Sequence, residues 1–164
     1  MRSLIIRKAT EQDFPEICRI YAGARDFMRD SGNPEQWGDG YPALDVIEND
    51  IRSGLSYVCV CDDGIAGVFY YSVELEPTYS AIDGQWLSDA PYGVVHRIAT
   101  ARGFKGAGAF CLDWCFDKCL NLRIDTHRDN VPMKNLLNKL GFTNCGIIWL
   151  EDGSERLAYQ KVEV

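Results

Sequence analysis

The chain has 164 residues, 46% of them hydrophobic and 25% charged, with a net charge of −7 and a pI near 4.8. This is an ordinary globular composition at a length that normally builds one domain, here residues 1–164, and the apolar runs at 57–61 and 65–71 are far shorter than the roughly 20 residues of a membrane span. The acidic balance also argues against a nucleic-acid partner, since affinity for phosphate backbones comes from clustered Lys and Arg; it keeps a protein soluble, and at a binding site it favours cationic amines.

The start, Met1-Arg2-Ser3-Leu4-Ile5-Ile6-Arg7, has only three consecutive apolar residues, too few for a secretory signal. Residues 4–9 read as a strand, and Thr10-Glu11-Gln12-Asp13 as a capping box with Asp in place of the usual Glu. A helix over 13–28 follows, with Phe14, Ile17, Ile20, Tyr21 and Ala24 on one apolar face, and Gly32-Asn33-Pro34 stops it. The loop at 31–42 carries Trp37 and Tyr41, which serve either as a substrate wall or as a plug over the core. A short helix at 44–52 precedes strands at 56–61 and 65–74, joined by the hairpin signal Asp62-Asp63-Gly64. The aromatic connection at 77–91, with Tyr79 and Trp86, has no clear periodicity. Beyond it come a strand at 93–100, a helix at 108–120, a strand at 122–126 and a helix at 132–140 that ends at Gly141. Strands at 142–150 and 156–162 flank Glu151-Asp152-Gly153-Ser154. Early hairpins and a later strand-helix-strand-helix unit predict an α/β fold with a mixed sheet covered by helices.

Gly103-Phe104-Lys105-Gly106-Ala107-Gly108 joins a strand to a helix. A helix N-terminus presents N–H groups and partial positive charge, glycines let an anion reach the backbone, and Lys105 adds a full charge. This is a phosphate site, open at this point to nucleotides and to CoA. Gly106-Ala107-Gly108-Ala109-Phe110-Cys111 comes close to the dinucleotide fingerprint, and Asp125 lies 19 residues after Gly106, near where a ribose-binding acid belongs. Against that reading, Cys111 replaces the third glycine and only 39 residues remain after Asp125, ending in an apparent hairpin. A P-loop is excluded because GxxxxGK[ST] is absent.

Two spaced motifs resemble the GNAT superfamily of acetyltransferases. The glycine turn is similar to the family's pyrophosphate loop, Q/R-x-x-G-x-G/A, and Asn130 with Leu136-Leu137-Asn138-Lys139-Leu140-Gly141-Phe142 is similar to its N-x-x-A-x-x-L-Y-x-K-x-G-F element. His96-Arg97-Ile98-Ala99-Thr100 resembles the family's central strand. The resemblance implies a mostly antiparallel sheet with a central splay, flanked by helices. It also implies that acetyl-CoA or another acyl-CoA is bound by Ile98, Ala99, Thr100, Gly103, Phe104, Lys105, Gly106, Ala107, Gly108, Asn130 and Met133. Two positions depart from the pattern. Gly103 stands where the loop begins with Gln or Arg, and Leu137 stands where many members carry the tyrosine that protonates the departing thiolate, so that residue cannot do so here.

Acyl transfer to an amine needs a neutral nucleophile, a polarised carbonyl and a proton acceptor. Of the two histidines, His96 lies on the strand nearest the expected acyl group and is the leading candidate base, with Glu74 the second. The alternatives are a strand histidine satisfying a core hydrogen bond and a solvated strand-end carboxylate. The thiolate could be assisted by Asn138 or water, or need no acid. Cys111, Cys115 and Cys119 fall on one helical stripe, read as core packing rather than a metal site. Seven cysteines cannot all pair, so reduced thiols and a cytoplasmic location are expected. The expected acceptor is a small-molecule or protein amine, with no metal, and a homodimer is allowed. A CoA-binding module without turnover and a dinucleotide-binding oxidoreductase are the competing functions.

Overall fold

The computed structural model describes residues 3–62 and 64–163. Asp63 of the expected hairpin turn therefore lies outside the described residues, as do Met1 and Arg2 of the N-terminal stretch. Strand β1 (Ile5–Lys8) passes through a 3-10 turn (Glu11–Asp13) into helix α1 (Phe14–Asp30). The Asp that replaces Glu in the capping box works: its carboxylate accepts the Thr10 N–H at 2.8 Å and the Arg7 guanidinium at 2.7 and 3.0 Å. Pro15 sits in the first turn of α1, where its missing N–H costs no helical hydrogen bond. The helix runs two residues past its expected end, and there the Ser31 hydroxyl donates to the Phe27 carbonyl at 2.6 Å. Helix α2 spans Leu44–Arg52.

Among the described residues, eight strands form one sheet. After β1 come β2 (Ser56–Cys61), β3 (Gly64–Val73), β4 (Asp83–Gly84), β5 (Gly93–Thr100), β6 (Asn121–Thr126), β7 (Thr143–Trp149) and β8 (Glu155–Val162), in spatial order β1-β2-β3-β5-β6-β8-β7-β4. All neighbours are antiparallel except β5 and β6. Those two are parallel and pair only at Gly93 with Leu122 and Val94 with Arg123; beyond Val94 they separate, which is the expected splay. The aromatic connection resolves into a 3-10 turn (Pro77–Tyr79) and the two-residue β4, which pairs Gly84 with Gly146. Both glycines have positive φ, and a Cβ on Gly84 would lie 2.0 Å from the Cys145 carbonyl oxygen, so the backbones approach this closely only without side chains.

Side chains alternate across the sheet and bury a core on each face, and a third, smaller cluster gathers Tyr79, Tyr92, Val94, Ile148 and Ala158. Val58 and Val68 face α1 and α2, packing with Ile17, Ile20, Tyr21, Ile47 and Ile51. Cys59 and Phe69 face helices α3 (Ala107–Cys119) and α4 (Val131–Lys139), packing with Cys111, Leu112, Cys115 and Leu137. Each large apolar side chain fully buried in these layers contributes about 1.5–3 kcal/mol. Cys111 and Cys115 are fully buried within this core and Cys119 lies against it, donating to the Cys115 carbonyl at 3.2 Å, so the stripe packs. Among the described residues no helix is long and apolar enough to cross a membrane.

One irregularity sets the geometry at the splay. Val68 pairs with Ala99 but Tyr70 pairs with His96, so three steps on β5 oppose two on β3. The extra residue belongs to a β-bulge around Arg97, whose φ of +50° puts a non-glycine residue in the left-handed region.

Candidate active site

The separation of β5 from β6 opens a cleft of about 840 Å³, with Val95, His96, Arg97 and Ile98 on one wall and Ile124, Asp125, Thr126 and His127 on the other. Along β5 beyond Val94 the backbone edge facing β6 has no ladder partner among the described residues.

His96 lies in this cleft with its Nε2 2.7 Å from Glu76 Oε1. Glu76 is itself fixed: its other oxygen accepts the Thr78 N–H at 3.2 Å, and its own N–H donates to the Tyr92 hydroxyl at 3.1 Å. The hydrogen bond from His96 is the main reason that the Glu76 carboxyl is held below the usual glutamate range, against the opposing effect of burial. The His96 ring lies beside Tyr70, with centroids 5.4 Å apart, and near Tyr79 at 6.5 Å. Tyr79 donates to Asp125 at 2.7 Å, yet burial outweighs that bond and pushes the Asp125 carboxyl up. Glu74 accepts a short hydrogen bond from Tyr70, and burial, reinforced by Glu74, pushes the Tyr70 phenol up.

Glu74, expected as a second base, thus lines the cleft but is engaged with Tyr70. The partner of His96 is Glu76, which the sequence reading did not single out. The signal was available: period-two alternation from Glu74 puts Glu76 on the same side, immediately before the turn-forming Pro77.

Arg97 is pinned from several directions. Its guanidinium forks onto Asp50 at 2.8 and 2.9 Å, donates to the Tyr41 hydroxyl at 2.9 Å and lies 4.7 Å from the Tyr70 ring centroid. Its carbonyl accepts the Tyr21 hydroxyl at 2.8 Å. These contacts offset the ~1–2 kcal/mol cost of its left-handed backbone and fix the bulge next to His96.

Trp37 and Tyr41 both line the cleft, edge to face at 5.9 Å, while Trp37 also packs on the α1 core and meets Tyr21 at 5.7 Å. Trp37 thus both lines the cleft and covers the α1 core. The loop that carries them is tied across the cleft by Gln36, whose side-chain oxygen accepts from Asn33 at 2.8 Å and from Asn130 at 2.9 Å, and whose carbonyl accepts from Arg156 at 3.1 Å. Asn130 caps α4 by accepting the Met133 N–H at 3.2 Å, and both residues line the cleft, as Ile98 does. Ala99 is buried on the α1 side, and Thr100 is exposed at the strand end.

The glycine turn stands outside the lining of this cleft, between the end of β5 and α3. Gly103 and Gly106 have φ of +86° and +84°, and a Cβ at either would meet nothing within 4 Å. Gly106 is the N-cap of α3 and supplies no side-chain acceptor, so the first N–H groups of the helix receive no capping side chain. Lys105 is exposed, Phe104 is half-buried against the core, and Ala107 is fully buried. Gly108 approaches Leu136 of α4, where a Cβ would come within 3.3 Å. Leu137 is fully buried, and Asn138 is exposed outside the cleft lining. His127 accepts the Asp129 N–H at 3.0 Å, and burial, with Arg156 nearby, pushes its imidazole pKa down. Among the described residues, no three His, Cys, Asp or Glu side chains converge in a way that could hold a metal.

No family model and no curated protein sequence matches the chain. Solved structures do. A GNAT-family acetyltransferase from Streptococcus agalactiae 2603 is 35% identical over 98% of this chain and 96% of that one, with a TM-score of 0.88. A GNAT-family acetyltransferase from Listeria monocytogenes 4b F2365 is similar at 21% identity, 96% and 94% coverage and a TM-score of 0.69. The NatC complex bound to Gag peptide and CoA contains a chain similar at 11% identity, 99% coverage of each and a TM-score of 0.67. The latter two likenesses speak to the fold alone.

Proposed function

The chain belongs to the GNAT acetyltransferase family, and we propose that it moves an acetyl or other acyl group from acyl-CoA to a primary amine by direct attack in a ternary complex. The observation that carries this reading is the splay of β5 from β6, which opens directly onto the His96–Glu76 pair. With the His96 Nε2–H donating to the Glu76 carboxylate, Nδ1 is the ring nitrogen left to take a proton from an amine.

The residues present fit acyl-CoA. The N-terminus of α3, without a capping side chain and approached through two glycines with open space above them, suits a pyrophosphate, with Lys105 adding charge. The unpaired edge of β5 at Ile98–Thr100 supplies backbone groups for an extended pantetheine arm, and Asn130 and Met133 face it from α4. A solved structure of this fold holds CoA. Trp37 and Tyr41 form the wall of the acceptor site. The seven free thiols fit a reducing compartment, so the reaction is assigned to the cytoplasm.

In the reaction, His96 takes a proton from the acceptor ammonium, directly or through one water. The amine nitrogen then bonds to the acyl carbon as the carbon–sulfur bond breaks, and the nitrogen loses its second proton. The sulfur leaves as thiolate and takes up one proton, so one proton is released per amide formed. With Leu137 buried in the core, no phenol stands at that position. A thiol pKa near ~8.5 makes the thiolate a tolerable leaving group without one.

Leu137 also favours a second reading, a CoA binder without turnover. Thiol release from acetyl-CoA over a panel of amines separates the two: turnover supports the enzyme, and silence with tight binding supports the binder. Binding is read by thermal unfolding, where ligand at 100 times its Kd stabilises by ~2.7 kcal/mol, about 5–11 °C for a chain of this size. A shift with NAD(H) and none with acetyl-CoA would overturn both.

A further inference from the structure

Strands β3 and β5 are neighbours in the sheet, yet the chain between them runs to the far edge, adds β4 beside β7 and returns. This is the aromatic connection at 77–91, and the acyl-transfer step described above uses none of its rings. A buried cation lies against it. Arg123 of β6 is 3% exposed, and its guanidinium carbon stands 3.9 Å from the ring centroids of both Trp86 and Tyr92. Its Nη2 donates to the Ser88 carbonyl at 2.7 Å, and its Nε has no hydrogen-bond partner among the described residues. Asp89, at 3.7 Å, is 99% exposed, so water screens that pair. A buried cation with so little counter-charge is costly, and the two rings on its faces offset that cost. Gln160, fully buried, ties down the same stretch by accepting the Leu87 N–H at 2.7 Å and donating to the Ser88 carbonyl at 3.1 Å.

The clamp fixes Tyr92, and Tyr92 reaches the residue behind His96. Its hydroxyl accepts the Glu76 N–H at 3.1 Å. Trp86 in turn donates to the Tyr79 carbonyl at 3.0 Å, and the Tyr79 ring packs on those of Trp86 and Tyr92 at 5.2 and 6.3 Å. The turn at Pro77–Tyr79 is thereby held in place. Its Thr78 N–H donates to Glu76 Oε2 while Glu76 Oε1 meets His96 Nε2. Glu76 thus has its main chain set by Tyr92 and its carboxylate set by Thr78 and His96.

Resting on the acyltransferase reading above, we propose that Tyr92, clamped by Arg123, is a positioning residue for the reaction. It holds Glu76 where the carboxylate keeps His96 in the tautomer with hydrogen on Nε2, leaving the Nδ1 lone pair for the acceptor amine. The hydroxyl acts through geometry alone, since it touches the main chain of Glu76 and lies outside the cleft lining. Geometry is enough: a shift of about 1 Å in a catalytic group costs up to ~10²-fold in rate.

Tyr92→Phe tests this, because it removes the hydroxyl and keeps the ring against Arg123. With acetyl-CoA and the fastest amine of the panel above, kcat should fall about tenfold while the KM for acetyl-CoA stays the same. Nitrogen NMR of labelled imidazole rings, with the His96 signals identified by their loss in His96→Ala, reads the tautomer directly. It should show hydrogen on Nε2 in the parent and a mixture of the two tautomers in Tyr92→Phe. Because Tyr92 acts through Glu76, adding Tyr92→Phe to Glu76→Gln should lower kcat no further. Three results would overturn the positioning role and leave the acyltransferase reading in place: a parent ring with hydrogen on Nδ1, a Tyr92→Phe protein that keeps the parent kcat and tautomer even if it melts lower, or a double variant about tenfold slower than Glu76→Gln alone. No thiol release from the parent with any amine, despite acetyl-CoA binding, would overturn both, and the absence of all turnover tells this failure from the others.

Discussion

The turn ahead of α3 and the floor of the cleft are both reached along β5, and they present their polar groups in different ways. At the turn, the polar groups presented are backbone N–H groups at the start of a helix, shaped by Gly103 and Gly106 at positive φ, with no side-chain cap. At the floor they are side chains, each held by another: His96 by Glu76, Tyr70 by Glu74, Tyr79 by Asp125, Arg97 by Asp50 and Tyr41. A backbone site depends on where the chain runs and is indifferent to most side chains beyond its glycines. A side-chain network depends on every partner, because removing one leaves another buried and unsatisfied. The turn should therefore respond to substitution mainly in affinity, and the floor in rate and stability.

The sharpest break is expected at His96. His96→Ala should lower kcat by about 10²–10⁴-fold, the usual range for general base catalysis, while acetyl-CoA affinity is unchanged. An unchanged kcat would remove His96 as the base and leave the floor a structural network. Next in size is Asp50→Ala. Asp50 and Arg97 have side chains only 7% and 14% exposed, and stripping the fork from a buried guanidinium costs ~3 kcal/mol or more. Urea unfolding measures this directly, and a loss below ~1 kcal/mol would mean that the bulge at Arg97 holds itself without the fork.

The same contrast decides what could be read from the sequence. Backbone devices leave a local trace, since they need glycine or a capping residue at a fixed place. Thus the glycine turn, the Thr10–Asp13 box and the helix stop at Gly141 were legible, and strand and helix limits fell within a residue or two. The floor left little trace because its partners are far apart in sequence. Asp50 and Arg97 are separated by 47 positions, and nothing local to either names the other. The bulge was hidden for a further reason: Arg carries no preference for positive φ, so its strain is imposed by tertiary contacts rather than by residue type. Strand β4 is only two residues long, too short for any period to show, and it rests on the facing glycines Gly84 and Gly146.

A smaller effect belongs to the turn. Gly106→Ala puts a methyl into open space but forces a non-glycine residue to φ of +84°, at a cost of ~1–2 kcal/mol. If that strain is relieved by moving the turn, the cradle moves with it. Acetyl-CoA should then bind about tenfold more weakly, by titration calorimetry, with kcat at saturation little changed. A fall in kcat at unchanged affinity would contradict the division between a turn that binds and a floor that reacts.

The smallest expected effect is in the acid dependence of stability, where two floor carboxyls act in opposite directions. The Glu76 carboxyl is held below its ordinary value, chiefly by the hydrogen bond from His96. Its stabilising contribution is present above the unfolded glutamate pKa of ~4.3 and is lost as pH falls through the folded value. Asp125 is raised above its ordinary value by burial, so its contribution is present below the unfolded aspartate pKa of ~3.9 and is lost as pH rises through the folded value. Thermal unfolding between about pH 3 and 7 should therefore show Glu76→Gln flattening the acid limb by ~1 kcal/mol or less. Asp125→Asn, which keeps an acceptor for the Tyr79 hydroxyl, should instead remove a loss that grows towards neutral pH. Parallel curves for both variants and the parent would mean that neither carboxyl changes its proton affinity on folding, and that the floor is held by neutral hydrogen bonds in the same sense as the turn.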